Sequence, residues 1–162
     1  MHKILLILIV SFFSTTSYAA EFTDEQCSAA IVSIETTPDK ISKKSVDTFL
    51  ESLTSKTCRG SVEYSEWSNE ALFNVMQKSP TIFFKSLRTS SKSIQNQVQL
   101  KLAQPIHDGI NYPEINNSIS KITDSVLRDY ALNIFTPLLK KHLSEVNEWE
   151  KKNNEKWSYG NL

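Results

Sequence analysis

The chain reads as an all-α domain: an irregular helical bundle or a short stack of helical hairpins, about seven helices in all, held by one disulfide. Three observations predict this. Glycine occurs only three times in 162 residues, too few for a sheet protein built on tight turns. Pro38, Pro80, Pro105, Pro113 and Pro137 stand between segments of helical periodicity or at a step within one, and proline suits the first turn of a helix, where its missing N–H costs nothing. Apolar residues recur at i, i+3, i+4 and i+7 behind Ser, Thr or Asp cap signals.

The elements follow in order. Thr23-Asp24-Glu25-Gln26 is a capping box with Phe22 and Cys27 placed as a staple, and the helix it opens presents Cys27, Ala30, Ile31 and Ile34 on one side. Ile41 and Val46 staple around Ser42, and Val46, Phe49, Leu50 and Leu53 form the next buried stripe. Cys58-Arg59-Gly60 ends that hairpin. Trp67 and Leu72 staple around Ser68, predicting a helix from Ser68 to Ser79. Ser79-Pro80 opens another, carrying Ile82, Phe83, Phe84 and Leu87.

The polar run 88–93 is a loop. Ile94, Val98 and Leu102 recur every fourth residue as in a helix, although Val98 to Leu102 also alternates like a strand. Ile115, Ile119 and Ile122 mark a further helix. A stripe from Leu127 through Tyr130, Ala131, Ile134, Phe135, Leu138, Leu139, Leu143 and Val146 to Trp149 marks the last, which Pro137 should kink or divide. Pro80 and Pro113 begin similarly spaced two-helix units, a hint of stacked pairs. Residues 20–155 form the single domain and 156–162 a charged and aromatic tail.

The N-terminus bears on compartment. His2 and Lys3 precede an apolar run from Ile4 to Phe13, and Ser17-Tyr18-Ala19 supplies small residues at −3 and −1. Residues 1–19 read as a secretory signal cleaved between Ala19 and Ala20. The run is about half the ~20 apolar residues that a spanning helix needs, so no stable membrane insertion is expected after cleavage. The exported chain then lies in a periplasm or outside the cell. Its two cysteines, Cys27 and Cys58, most simply form one disulfide in an oxidising compartment. They are not spaced C-x-x-C, and metal binding would need further ligands; two free thiols are the alternative.

The formal charge is zero for the whole chain and −1 once Lys3 leaves with the signal. No basic block gives a footprint for nucleic acid. The segment 103–115, AQPIHDGINYPEI, is the most unusual stretch. Pro105 there predicts a short helix with Ile106 and Ile110 facing inward, His107 and Asp108 solvated, and Asn111-Tyr112-Pro113 breaking it. As a site, this corner would display His107, Asp108 and Tyr112 for binding. His107 and Asp108 are adjacent and point apart on a helix, a poor base–orienter pair.

His142 and Glu145 lie i, i+3 on one helix, but the pair occurs once and Lys140 and Lys141 adjoin it, so a histidine at the edge of the core explains it without a metal. No G-x-S-x-G, H-E-x-x-H, phosphate-binding glycine loop or calcium loop occurs, and Ser118-x-x-Lys121 lacks its partner motifs. No cofactor is called for. Phe83 and Phe84 diverge by about a hundred degrees on one helix, so one is expected in the core and the other, Phe84, at a groove or an inter-helix seam. Trp157 and Tyr159 are either contact anchors or parts of a tail that folds back. The expected function is a protein-binding module, of inhibitor or immunity type, that caps an exported partner. The alternatives are a helical carrier of a small apolar ligand lined by Phe83 and Phe84, and a hydrolase with dispersed catalytic residues.

Overall fold

The computed structural model describes residues 21–36, 38–107 and 109–159. The signal-peptide reading of residues 1–19, with its cleavage after Ala19, lies outside the described residues, as do Asp108 and tail residues 160–162. The described residues form eight α-helices and a 3₁₀ turn, Pro38–Lys40: α1 Asp24–Val32, α2 Lys43–Ser52, α3 Lys56–Gly60, α4 Val62–Lys78, α5 Pro80–Thr89, α6 Lys92–Ala103, α7 Tyr112–Ser120 and α8 Ser125–Asn153.

Caps fix most of the starts. The Thr23 hydroxyl accepts the Gln26 N–H at 3.3 Å and the Gln26 side chain accepts the Thr23 N–H at 2.9 Å, a complete capping box. Ser42, Ser55, Ser61 and Ser91 each accept a backbone N–H three residues on, and Asp124 does so for α8. Pro80 occupies the first turn of α5.

Cys27 of α1 and Cys58 of α3 are joined, with Cα atoms 5.4 Å apart. Cys58 therefore sits inside a short third helix rather than in a plain hairpin end. Closing a loop of this size stabilises the fold by about 3–4 kcal/mol, chiefly by restricting the unfolded chain.

The start of α4, the effect of Pro137 and the full burial of Phe84 depart from expectation, and the ambiguity at 94–102 is settled. The helix predicted from Ser68 begins at Val62, because the Ser61 hydroxyl caps it by accepting the Tyr64 N–H at 3.2 Å. Trp67 is thus not a staple ahead of a cap; its indole N–H donates to the Glu35 carboxylate at 2.9 Å. The stretch 94–102 is helical, and its every-fourth-residue spacing decides burial: Val98 and Leu102 are buried while Leu100 is 58% exposed. Pro137 neither ends nor divides α8, a single helix of 29 residues. Pro137 and Asn133 both face outward, so the carbonyl that loses its helical donor lies on the wet side, where water can serve it. Finally, Phe83 and Phe84 are both fully buried, edge to face at 5.0 Å. Phe84 lines no groove but sits at the seam between α5 and α8, edge to face with Tyr130 at 6.4 Å, because α5 is covered by α2 and α4 and also by α8.

Helices three apart in chain order pack together: α1 on α4, α2 on α5, α4 on α7 and α5 on α8. The pair α5–α6 does touch α7–α8, but the more extensive contacts of α4 with α7 and of α2 with α5 fall outside that pairing. One contiguous core results, from Cys27 and Ile31 through Phe49, Phe73 and Phe83 to Ile119 and Phe135. The long stripe on α8 is buried only at Leu127, Ala131 and Phe135. Leu138, Leu139 and His142 still pack on the bundle, and beyond them the helix overhangs it, leaving Leu143 40% and Trp149 36% exposed.

Candidate functional site

Two turns in the chain bring the site together. The first is the corner between α6 and α7. Asn69 of α4 is buried and works in both directions: its Nδ2 donates to the Lys101 carbonyl at 3.2 Å, and its Oδ1 accepts the Ile106 N–H at 3.0 Å. The clamp ties Ile106 to α4, and Pro105 opens no helix here. Consequently Ile110 is buried while Ile106 is 51% exposed, and the expected inward pairing of the two isoleucines fails. His107 is half-buried rather than solvated.

Tyr112 is not displayed at the corner either. It is the first residue of α7 and is buried. Its ring lies near-parallel to Phe135 at 5.9 Å and to His142 at 4.2 Å, and meets Phe73 at 5.8 Å. Burial pushes its hydroxyl up to about 12, with the Glu145 charge adding to the effect.

The second turn ends α8. Asn154 adopts the left-handed conformation at φ 53°, one that asparagine tolerates at helix ends. The Glu150 carboxylate then holds the returning chain, accepting the Trp157 N–H and the Lys156 ammonium, each at 2.9 Å. The tail folds back along the overhang. Trp157 meets Trp149 edge to face at 5.3 Å, and Tyr159 OH shares a hydrogen bond with His142 Nε2 at 3.1 Å. Trp157 and Tyr159 are thereby half-buried.

His142 is the hub of this arrangement, stacked on Tyr112, bonded to Tyr159 and edge-on to Trp157 at 6.3 Å. Burial pushes its imidazole below the ordinary 6.5, and Glu145 opposes that shift only in part. The ring is therefore held neutral.

Between corner, overhang and tail lies a cleft of about 230 Å³. Pro105 and His107 come from the corner, Tyr112 from α7, His142, Glu145 and Trp149 from α8, and Trp157 from the tail. Two of its nitrogens, His107 Nε2 and Trp157 Nε1, are closed to solvent and have no hydrogen-bond partner among the described residues. Of the binding candidates seen in the sequence, His107, Tyr112, Trp157 and Tyr159 converge here, and Phe84 lies in the core. Glu145 and Trp149 were legible only as a weak metal pair and as stripe. The signal for their role is the asparagine pair 153–154 between Trp149 and Trp157, which lets the chain reverse and the two indoles meet.

A larger hollow, about 510 Å³, lies between α1 and α2, walled by Phe22, Ala29, Ser33, Ser45 and Thr48 among others. It carries no unpartnered buried polar atom, and size alone does not make it the site. Lys101 presents a catalytic-looking pair: its ammonium donates to the Ser68 hydroxyl at 3.0 Å, and burial lowers its pKa. Serine–lysine pairs can act as nucleophile and base, but Ser68 is fully buried, away from any substrate in solvent. The contact pins α6 to α4. Among the described residues no group of three or more His, Cys, Asp or Glu side chains is placed to hold a metal, and no helix is long and apolar enough to cross a membrane.

No family model, curated protein or solved structure matches the chain.

Proposed function

We propose that this chain is an exported binding module that caps a protein partner, in the manner of an inhibitor or immunity-type protein, through the cleft between the corner and the tail. The observation that carries the reading is where the molecule leaves polar groups unmatched. Of three buried side-chain polar atoms without a partner among the described residues, His107 Nε2 and Trp157 Nε1 lie at this cleft and Ser86 Oγ alone at the hollow beside α2, α5 and α6; an unsatisfied buried polar group costs about 1–3 kcal/mol. Such a cost is not incurred for stability; it marks a place shaped for another purpose. Trp149, 36% exposed, lines the cleft and gives it an aromatic rim, and Ile106, 51% exposed, stands in the chain between the lining residues Pro105 and His107. The disulfide and the signal-like first 19 residues fit an oxidising compartment outside the cytoplasm.

The carrier reading loses its cavity, since Phe83 and Phe84 are packed on each other in the core. The test is a photo-crosslinking amino acid at position 106 in cells that export the chain. One discrete adduct is expected, and it should vanish when Trp149→Ala is added. An absent adduct, or one indifferent to Trp149, removes the proposal.

A further inference from the structure

We infer that the cleft receives a cation, the guanidinium or ammonium end of a partner's arginine or lysine side chain. The inference rests on the reading of the cleft as the recognition site and adds the chemistry of what enters it. Its walls include aromatic rings: the indoles of Trp149, 36% exposed, and of half-buried Trp157, and the His142 ring, one face of which is covered by Tyr112. Ring faces carry partial negative charge and attract cations, most strongly at tryptophan.

The charge on the lining has the same sign. Glu145 is the acidic residue of the lining, and no lysine or arginine of the described chain joins it there. His142, which could have supplied positive charge, is kept neutral by burial. The Glu145 carboxylate has an ion pair with Lys141 Nζ at 3.8 Å, with both side chains more than 60% exposed. That contact is long and wet, and an incoming cation replaces it at little cost. An anionic group would instead meet a carboxylate and ring faces with nothing to balance it.

Size narrows the occupant. A volume of about 230 Å³ admits one long side chain but not a helix or an oligomeric ligand. A guanidinium stacks flat on an indole while donating to a carboxylate, which suits arginine better than lysine. The unpartnered nitrogens of His107 and Trp157 are closed to solvent, so they do not select the ligand; the part-exposed Trp149 indole and the Glu145 carboxylate do.

The test uses the chain from Ala20 onward and follows its indole N–H signals by NMR during titration with N-acetylargininamide, its neutral citrulline analogue and an N-acetylated aspartate amide. The arginine probe should move the signals of Trp149 and Trp157 and leave Trp67 in place. It should bind about tenfold more tightly than the citrulline probe and weaken with added salt. Glu145→Gln should lose most of that preference while its undisturbed Trp67 signal reports an intact fold. Equal binding of arginine and citrulline probes, tighter binding of the aspartate probe, indifference to Glu145→Gln, or no shift at all overturns the inference. If a Trp149-dependent partner is captured but the arginine and citrulline probes are indistinguishable, the cation falls and the binding reading stands. If the arginine probe binds and no such partner is found, the binding reading falls and the cation site stands.

Discussion

The stapled region where α1 to α3 close on α4 and α5 differs from the overhang of α8 in how each treats its polar atoms. In the first, the Ser52 hydroxyl meets the Phe49 carbonyl at 2.6 Å and Tyr64 OH at 2.5 Å, and buried Ser68 and Asn69 are also bonded. Only Ser86 Oγ lacks a partner there. In the second, fewer groups are buried, yet His107 Nε2 and Trp157 Nε1 go unpaired and Trp149 stands partly in solvent. The first region is built to be stable. The second spends little on stability and gathers aromatic surface, a division expected when recognition is placed outside the core.

The largest effects should come from the core. Phe83→Ala or Phe49→Ala empties a fully buried site and should cost about 3–5 kcal/mol in urea denaturation. Trp149→Ala should cost no more than about 1 kcal/mol. Comparable losses at both places would erase the division. Replacing Cys27 and Cys58 together by Ser should remove about 3–4 kcal/mol while the Trp149 and Trp157 indole signals stay in place, since the bond ties only α1 to α3.

Asn69→Ala is smaller and crosses the divide. It strands the Ile106 N–H, while the Lys101 carbonyl keeps the Gln104 N–H at 3.3 Å, for about 1–3 kcal/mol, and should also move the His107 ring signals because the corner loses its clamp. An unmoved corner would show that Asn69 serves the core alone. The smallest effect is in pH. The folded His142 has its pKa held below the ordinary 6.5 by burial, against Glu145. The unfolded chain therefore takes up the proton first as pH falls. Stability contributed here is full above that value and declines as pH falls through it. His142→Gln should flatten that part of a stability–pH curve.

The sequence makes the core far more legible than the cleft. Capping boxes and stripes are local, so Thr23 and Ser42 announced their helices and Val46, Phe49, Leu50 and Leu53 their burial. The start of α4 was hidden because Ser61 caps it without a Glu or Gln at the third position, while Ser68 imitated a start. The corner was misread because its backbone obeys Asn69, a residue 37 positions from Ile106. Pro105 and an i, i+4 isoleucine pair cannot reveal that. Tyr112 and His142 were each visible as residues, but their 4.2 Å stacking depends on how α7 crosses α8.

The central claim is that the cleft, not the core, recognises a partner, and crosslinking from position 106 in exporting cells tests it most directly. The account predicts one adduct in the parent chain and none with Trp149→Ala, although the variant keeps its thermal midpoint to within the shift expected of about 1 kcal/mol. An adduct of equal yield from an intact Trp149→Ala variant would contradict it.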